Sequence, residues 1–229
     1  LKNINLTIKQ GETLAIVGRT GSGKTTLVNL LMRLFNPERG QLFVKGVDIN
    51  RIGLGTLRDN IGYVPQDNFL FSTTIAKNID FAHDDLDMER VEEAAKFAQI
   101  YDNIMEFPNG FETMVGERGV TLSGGQKQRS SIARAISKNP EILILDDALS
   151  AVDTHTEEQI LKGLREVMED RTSIIISHRI SSIKDADHIV VLDEGEIVEE
   201  GSHEELLEQD GLYNYFYQKQ LLEENLESA

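Results

Sequence analysis

The stretch EILILDDALS, Glu141 to Ser150, ends an apolar run in two adjacent carboxylates, Asp146 and Asp147. A buried strand that delivers paired acids at its tip serves a metal ion or a water molecule. A second stretch, GRTGSGKT from Gly18 to Thr25, fits the spacing G-x-x-x-x-G-K-S/T. Glycines at those positions let backbone N–H groups curl around phosphates, while the following helix presents its positive end to them. In this pattern Lys24 reaches the β and γ phosphates of a nucleotide, and the Thr25 hydroxyl ligates Mg²⁺. The pattern also needs an acid at the end of a hydrophobic strand to hold the same ion, and Asp146 after ILIL fits. Asp147 then faces the place of an attacking water.

The flanking residues supply the elements that such chemistry needs. ETLAIVG is a short apolar run leading into the glycine-rich stretch, and TLVNLLMRLF follows with Leu27, Leu30, Leu31 and Leu34 at helical spacing. The order is strand, loop, helix. The chain starts at Leu1 inside what reads as a strand, as expected of a piece of a longer protein. From Gly40 to Val64, GQLFVKGVDI and NIGYVP alternate and turn at KGVD, which predicts a small antiparallel excursion. From about Ile75 to Lys138 the pattern is helical, and the last helix stops at Asn139-Pro140. ILILD, TSIIIS and HIVVLD then read as buried strands. Between the first two, THTEEQILKGLREVME places Ile160, Leu161, Leu164 and Val167 on one helical face. Strands alternating with helices predict a mostly parallel sheet covered on both sides.

Composition narrows the function. Of 229 residues, 40% are hydrophobic, enough for one large domain or two small ones. There is no cysteine, hence no disulfide framework and no thiolate chemistry. With 39 acidic against 23 basic residues the net charge is −16, which repels a phosphate backbone and argues against nucleic acid as the partner. Part of the excess sits in the tail QLLEENLESA, read as a solvated helix end. No apolar run approaches the roughly 18 residues needed to span a bilayer, so a spanning part would lie elsewhere in the protein.

LSGGQKQR, Leu122 to Arg129, makes a resemblance specific. By itself it is a helix start, since Ser123 and Gln126 have capping-box spacing. Together with the two stretches above it resembles the signature motif of ATP-binding cassette (ABC) proteins. Gln66 in YVPQD resembles the family's Q-loop, SAVD (Ser150 to Asp153) its D-loop, and His178 in IISHR its switch histidine. The resemblance covers essentially the whole chain. It implies a P-loop NTPase (RecA-like) α/β fold: a mostly parallel sheet with a small antiparallel β part and an inserted helical subdomain. The expected division is a core over 1–66 and 139–205, a helical subdomain over 67–138 and a C-terminal helix over 206–229. The remaining histidines, His83, His155, His188 and His203, are read as structural or merely exposed.

The resemblance also implies a site. Its ligands are ATP and Mg²⁺. Gly18, Arg19, Thr20, Gly21, Ser22 and Gly23, with Lys24, Thr25 and Thr26, hold the nucleotide. Thr25, Gln66 and Asp146 hold the metal. Asp147, Gln66 and His178 are the catalytic set. Two such domains dimerise head to tail, so that Ser123, Gly124, Gly125 and Gln126, with Asp153, face the nucleotide of a second ABC ATPase domain. The other implied partner is a membrane-spanning domain fused N-terminally, which places the chain at the cytoplasmic face of a membrane. TMVGERG, Thr113 to Gly119, resembles a stretch peculiar to exporters, where it touches the membrane part. The family's adenine-stacking aromatic is expected before the start of this chain.

Two residues depart from the family pattern. Asp147 stands where competent sites usually carry Glu, and is one methylene shorter. Leu149 stands where many relatives carry a small hydroxyl residue. A weak base beside an intact signature resembles one half of a heterodimeric exporter, whose own site holds nucleotide while its signature completes the partner's site. The rival readings are a soluble ABC ATPase acting on nucleic acid or ribosomes, and a binding-only regulatory cassette.

Overall fold

The computed structural model describes residues 1–116, 120–168 and 171–227. Its strands are β1 (Thr13–Val17), β2 (Phe43–Val44), β3 (Val47–Asp48), β4 (Ile61–Val64), β5 (Ile142–Asp146), β6 (Thr172–Ile176), β7 (His188–Asp193) and β8 (Glu196–Gly201). The helices are α1 (Lys24–Leu31), α2 (Leu54–Asp59), α3 (Ile75–Ile79), α4 (Met88–Phe97), α5 (Tyr101–Met105), α6 (Gly124–Ser137), α7 (Thr154–Met168), α8 (His203–Glu208) and α9 (Leu212–Glu227). A six-stranded sheet has the order β4-β5-β6-β1-β7-β8. Every neighbouring pair in it is parallel except β7 and β8.

Side chains alternate across this sheet and build a core on each face. Along β1, Leu14 and Ile16 join Val28 of α1 and Leu57 of α2 on one side. Ala15 and Val17 join residues of α3, α4, α6 and α7 on the other. The central strands β1, β5 and β6 are buried on both faces, which is why they read as unbroken apolar runs. Helix starts are locally encoded. Asp87 accepts from the N–H groups of Glu89 and Arg90 to open α4, and Ser202 and Glu205 form a capping box on α8.

The structure corrects the sequence reading in three places. Ile61–Val64 is not part of the antiparallel excursion, which is only the β2–β3 hairpin. It is instead a parallel edge strand registered on Ile142–Leu145. Residues 1–12 form no strand; Lys2 N–H donates to Gly195 O at 2.7 Å, laying the segment along the β7–β8 turn. Leu34 does not extend the apolar face of α1. The helix ends at Leu31, Arg33 takes φ 48°, and Leu34 is 56% exposed.

Candidate active site

The carboxyl ends of the parallel strands gather the candidate residues, as open α/β sheets generally do. Val17 aligns with Val191, Ile16 and Asp146 both align with Ile176, and Val64 aligns with Leu145. The loop after β1, the carboxylates closing β5, Gln66 after β4 and His178 after β6 therefore leave the sheet along one edge. Gln66 and His178 are both exposed there.

The loop between β1 and α1 has its shape enforced by glycine. A Cβ on Gly18 would lie 2.0 Å from the Leu192 carbonyl oxygen, and Gly21 and Gly23 take φ 82° and 111°. Ser22 N–H donates to Arg19 O at 3.1 Å, and Gly195 N–H donates to Ser22 O at 3.0 Å, anchoring the loop to the β7–β8 turn. Helix α1 begins with no side-chain cap and no acid in its first turn. Its N-terminal N–H groups thus have no local acceptor of the usual kind, which suits an anion. Lys24 folds back under the loop, donating to Gly18 O at 2.8 Å and Arg19 O at 2.9 Å. It is 7% exposed. Burial lowers its pKa, against the opposing pull of Asp146 and Asp147. The buried Ser22 Oγ has no hydrogen-bond partner.

Asp146 is 2% exposed and its Oδ2 is unpartnered. Burial raises its pKa first, and the neighbouring Asp147 adds to this; the hydroxyls of Thr25 and Tyr63 and the Lys24 ammonium oppose it. Tyr63 is pushed up to about 12, mainly by burial and then by the Asp146 charge. A carboxylate with a free buried oxygen, set beside the Thr25 hydroxyl and the Lys24 ammonium, is a donor arrangement that suits a metal cation. Asp147 is half-buried and holds φ 50°, with its N–H donating to Ile176 O at 2.8 Å.

The signature stretch forms the N-terminus of α6, where the Ser123 and Gln126 side chains each accept from the other's backbone N–H, at 3.3 and 3.0 Å. Gly125 is required by contact, because a Cβ there would lie 2.8 Å from Ala151 O. Asp153 accepts from Thr156 N–H at 3.0 Å, the geometry of a helix cap on α7.

Sequence reasoning missed several residues. Tyr63 reaches Asp146 from β4. Gln128 bonds the loop after β5. Arg179 reaches Ser150 O and Val152 O and pairs with the buried Glu157. Gln128 and Arg179 lie inside the quoted stretches LSGGQKQR and IISHR, so the signal was a polar residue at a position the fold buries or half-buries. Leu149, unexplained by sequence, packs in the core with Leu145 and Ile175 and is 6% exposed. Of the exporter-like stretch TMVGERG, residues 117–119 lie outside the described residues.

Residues 1–150 match the family model described as ABC transporter. The chain belongs to the ABC transporter family. It is an ATPase domain of that family, with the family's P-loop NTPase fold. It is 49% identical over 223 residues to an ATP-dependent lipid A-core flippase of Chromohalobacter salexigens, covering 97% of this chain and 38% of that protein. It is 49% identical over 222 residues to a probable multidrug resistance ABC transporter ATP-binding/permease protein of Bacillus subtilis, covering 97% of this chain and 38% of that protein. The solved structure of a bacterial Atm1-family ABC exporter with ATP bound superposes with a TM-score of 0.88 at 47% identity, covering 92% of this chain and 37% of that one. The chain thus spans little more than a third of the length of these relatives.

Proposed function

We propose that this chain is the ATP-driven motor domain of a membrane exporter, and that its own site is the slow one of a non-identical pair. The observation that carries the ATP site is the unpartnered buried oxygen of Asp146 beside Thr25 and Lys24. Among the described residues no cluster of three or more acidic, histidine or cysteine side chains could cage a metal. Mg²⁺ keeps waters and takes one or two carboxylates together with phosphate oxygens, which suits the Asp146 carboxylate beside the Thr25 hydroxyl. Asp146 and Thr25 would hold the ion, with Gln66 at the edge, and the ion would neutralise charge developing on the phosphate oxygens.

The chain's own residues do the rest. The glycine loop and the start of α1 bind the phosphates, from Gly18 through Thr26. Lys24 exchanges its two loop carbonyls for phosphate oxygens, which removes the mismatch of a buried ammonium. Asp147 orients the attacking water from too short a side chain, and His178 and Gln66 close over the γ-phosphate. Ser123, Gly124, Gly125 and Gln126, with Asp153, serve the nucleotide of a second ABC ATPase domain. Among the described residues no helix is long and apolar enough to cross a membrane. The membrane-spanning part is assigned to the rest of the protein, as the ATP-binding/permease relative suggests, with this chain at its cytoplasmic face. No nucleic-acid partner is assigned.

The test is nucleotide occlusion by the full-length assembly in liposomes. After one round of turnover, this chain's site should still hold ATP while the partner's holds ADP. Equal conversion at both sites would contradict the slow-site reading.

A further inference from the structure

The loop that carries Asp147 is held by a side chain outside the site. Gln128 lies in the second turn of α6 and is 3% exposed. Its Nε2 donates to Asp147 O at 3.3 Å and to Ser150 Oγ at 2.9 Å, and its Oε1 accepts from Ala151 N–H at 2.9 Å. Both amide protons and the amide oxygen are therefore engaged on one short loop. The Ser150 hydroxyl also donates to Asp147 O at 3.0 Å.

Asp147 needs this support. It sits at φ 50°, a conformation that residues with a Cβ seldom adopt. The sheet pins its N–H to Ile176 O, and Gln128 pins its C=O. With both peptide groups held, the direction of the Cα–Cβ bond is fixed, and so is the reach of a carboxylate with little length to spare. The same loop touches the start of α6 a second time, where Gly125 lies against Ala151 O.

We propose that Gln128 is a positioning residue: its carboxamide fixes the main chain of Asp147 to helix α6, and thereby sets where the Asp147 carboxylate reaches. The proposal rests on the reading of Asp147 as the group that orients the attacking water. Gln128 contacts no reacting atom. A role confined to packing would instead lower stability and ATP affinity together and act independently of Asp147.

The experiment is single-turnover conversion of ATP at this chain's site in the full assembly, alongside ATP affinity and thermal unfolding. Gln128→Glu is isosteric and keeps an acceptor for Ala151 N–H, but opposes a carboxylate oxygen to Asp147 O. Gln128→Met removes every bond at similar length and serves if the buried charge prevents folding. Either variant should slow the step roughly tenfold, the order expected for a sub-ångström misplacement, with ATP affinity within about twofold of the parent. Combined with Asp147→Asn, the Gln128 change should slow the step no further, because both remove the same contribution. A rate within twofold of the parent in a folded variant, or losses that multiply in the double variant, would overturn the proposal. Failure of the underlying reading shows separately: Asp147→Asn alone would leave the rate unchanged.

Discussion

Lengthening one side chain tests the account of the slow site. Asp147→Glu adds one methylene and carries the carboxylate about 1 Å further along the direction fixed by the loop. A misplacement of about 1 Å costs roughly 10²-fold, or ~2.7 kcal/mol of barrier, so restoring the reach should raise hydrolysis at this site by one to two orders of magnitude. The backbone sets a counterweight. Asp147 is at φ 50°, where Asp is among the few side chains tolerated for local reasons, and Glu lacks that advantage. A penalty of about 1 kcal/mol follows, or some 2–4 °C in Tm for a domain of this size. The prediction is therefore a faster and slightly less stable protein. The assay is phosphate release under single-turnover conditions in an assembly whose facing signature is intact, since a defective partner helix would mask the gain. A flat rate with ATP still bound would refute the argument from reach.

Further outcomes follow from the same geometry. Lys24→Ala removes the ammonium that lies under the loop, and should weaken Mg-ATP binding at this site at least about tenfold; unchanged affinity in a calorimetric titration would contradict the phosphate-loop assignment. Asp146→Asn removes a buried charge with an unpartnered oxygen, and should raise stability without nucleotide by roughly 1 kcal/mol at neutral pH while weakening Mg²⁺-dependent binding. Because burial holds the Asp146 pKa above its ordinary 3.8, the folded parent keeps that proton longer than the unfolded chain and loses stability as pH rises through the folded value. The Asn variant's advantage in urea unfolding should thus grow as pH rises above the ordinary carboxylate value of about 4, and a pH-independent difference would refute the burial argument. Gly18→Ala drives a methyl into the Leu192 carbonyl and should destabilise by about 1–3 kcal/mol in the same assay.

What the sequence made legible was local. The glycine loop, the Ser123–Gln126 capping box and the buried strands β5, β6 and β7 depend on backbone conformation or apolar runs within a few residues, and those patterns are written in order. The place of Ile61–Val64 was not legible. Its alternation suits a hairpin or an edge strand equally, and its partner Ile142–Leu145 lies far along the chain. Leu34 continued the helical spacing, but backbone reversal at Arg33 ended α1 first. The site divided in the same way. The glycine loop before α1 and the carboxylates that close β5 lie where type and spacing put them. Gln128, Arg179 and Tyr63 were not legible, because a polar residue reads as solvated until the fold shows what packs against it.

The proposed function is asymmetric: the signature helix of this chain would serve a productive site, and its carboxylates a slow one. The direct measurement is steady-state ATP turnover of the reconstituted full-length assembly carrying Ser123→Arg or Asp147→Asn separately in this chain. Ser123→Arg removes the hydroxyl that caps α6 and sets a bulky cation at its N-terminus. The account predicts that Ser123→Arg abolishes turnover while Asp147→Asn costs the assembly little, because the partner's site carries the flux. Equal and severe losses from both changes would contradict it and make Asp147 a working base in a symmetric pair.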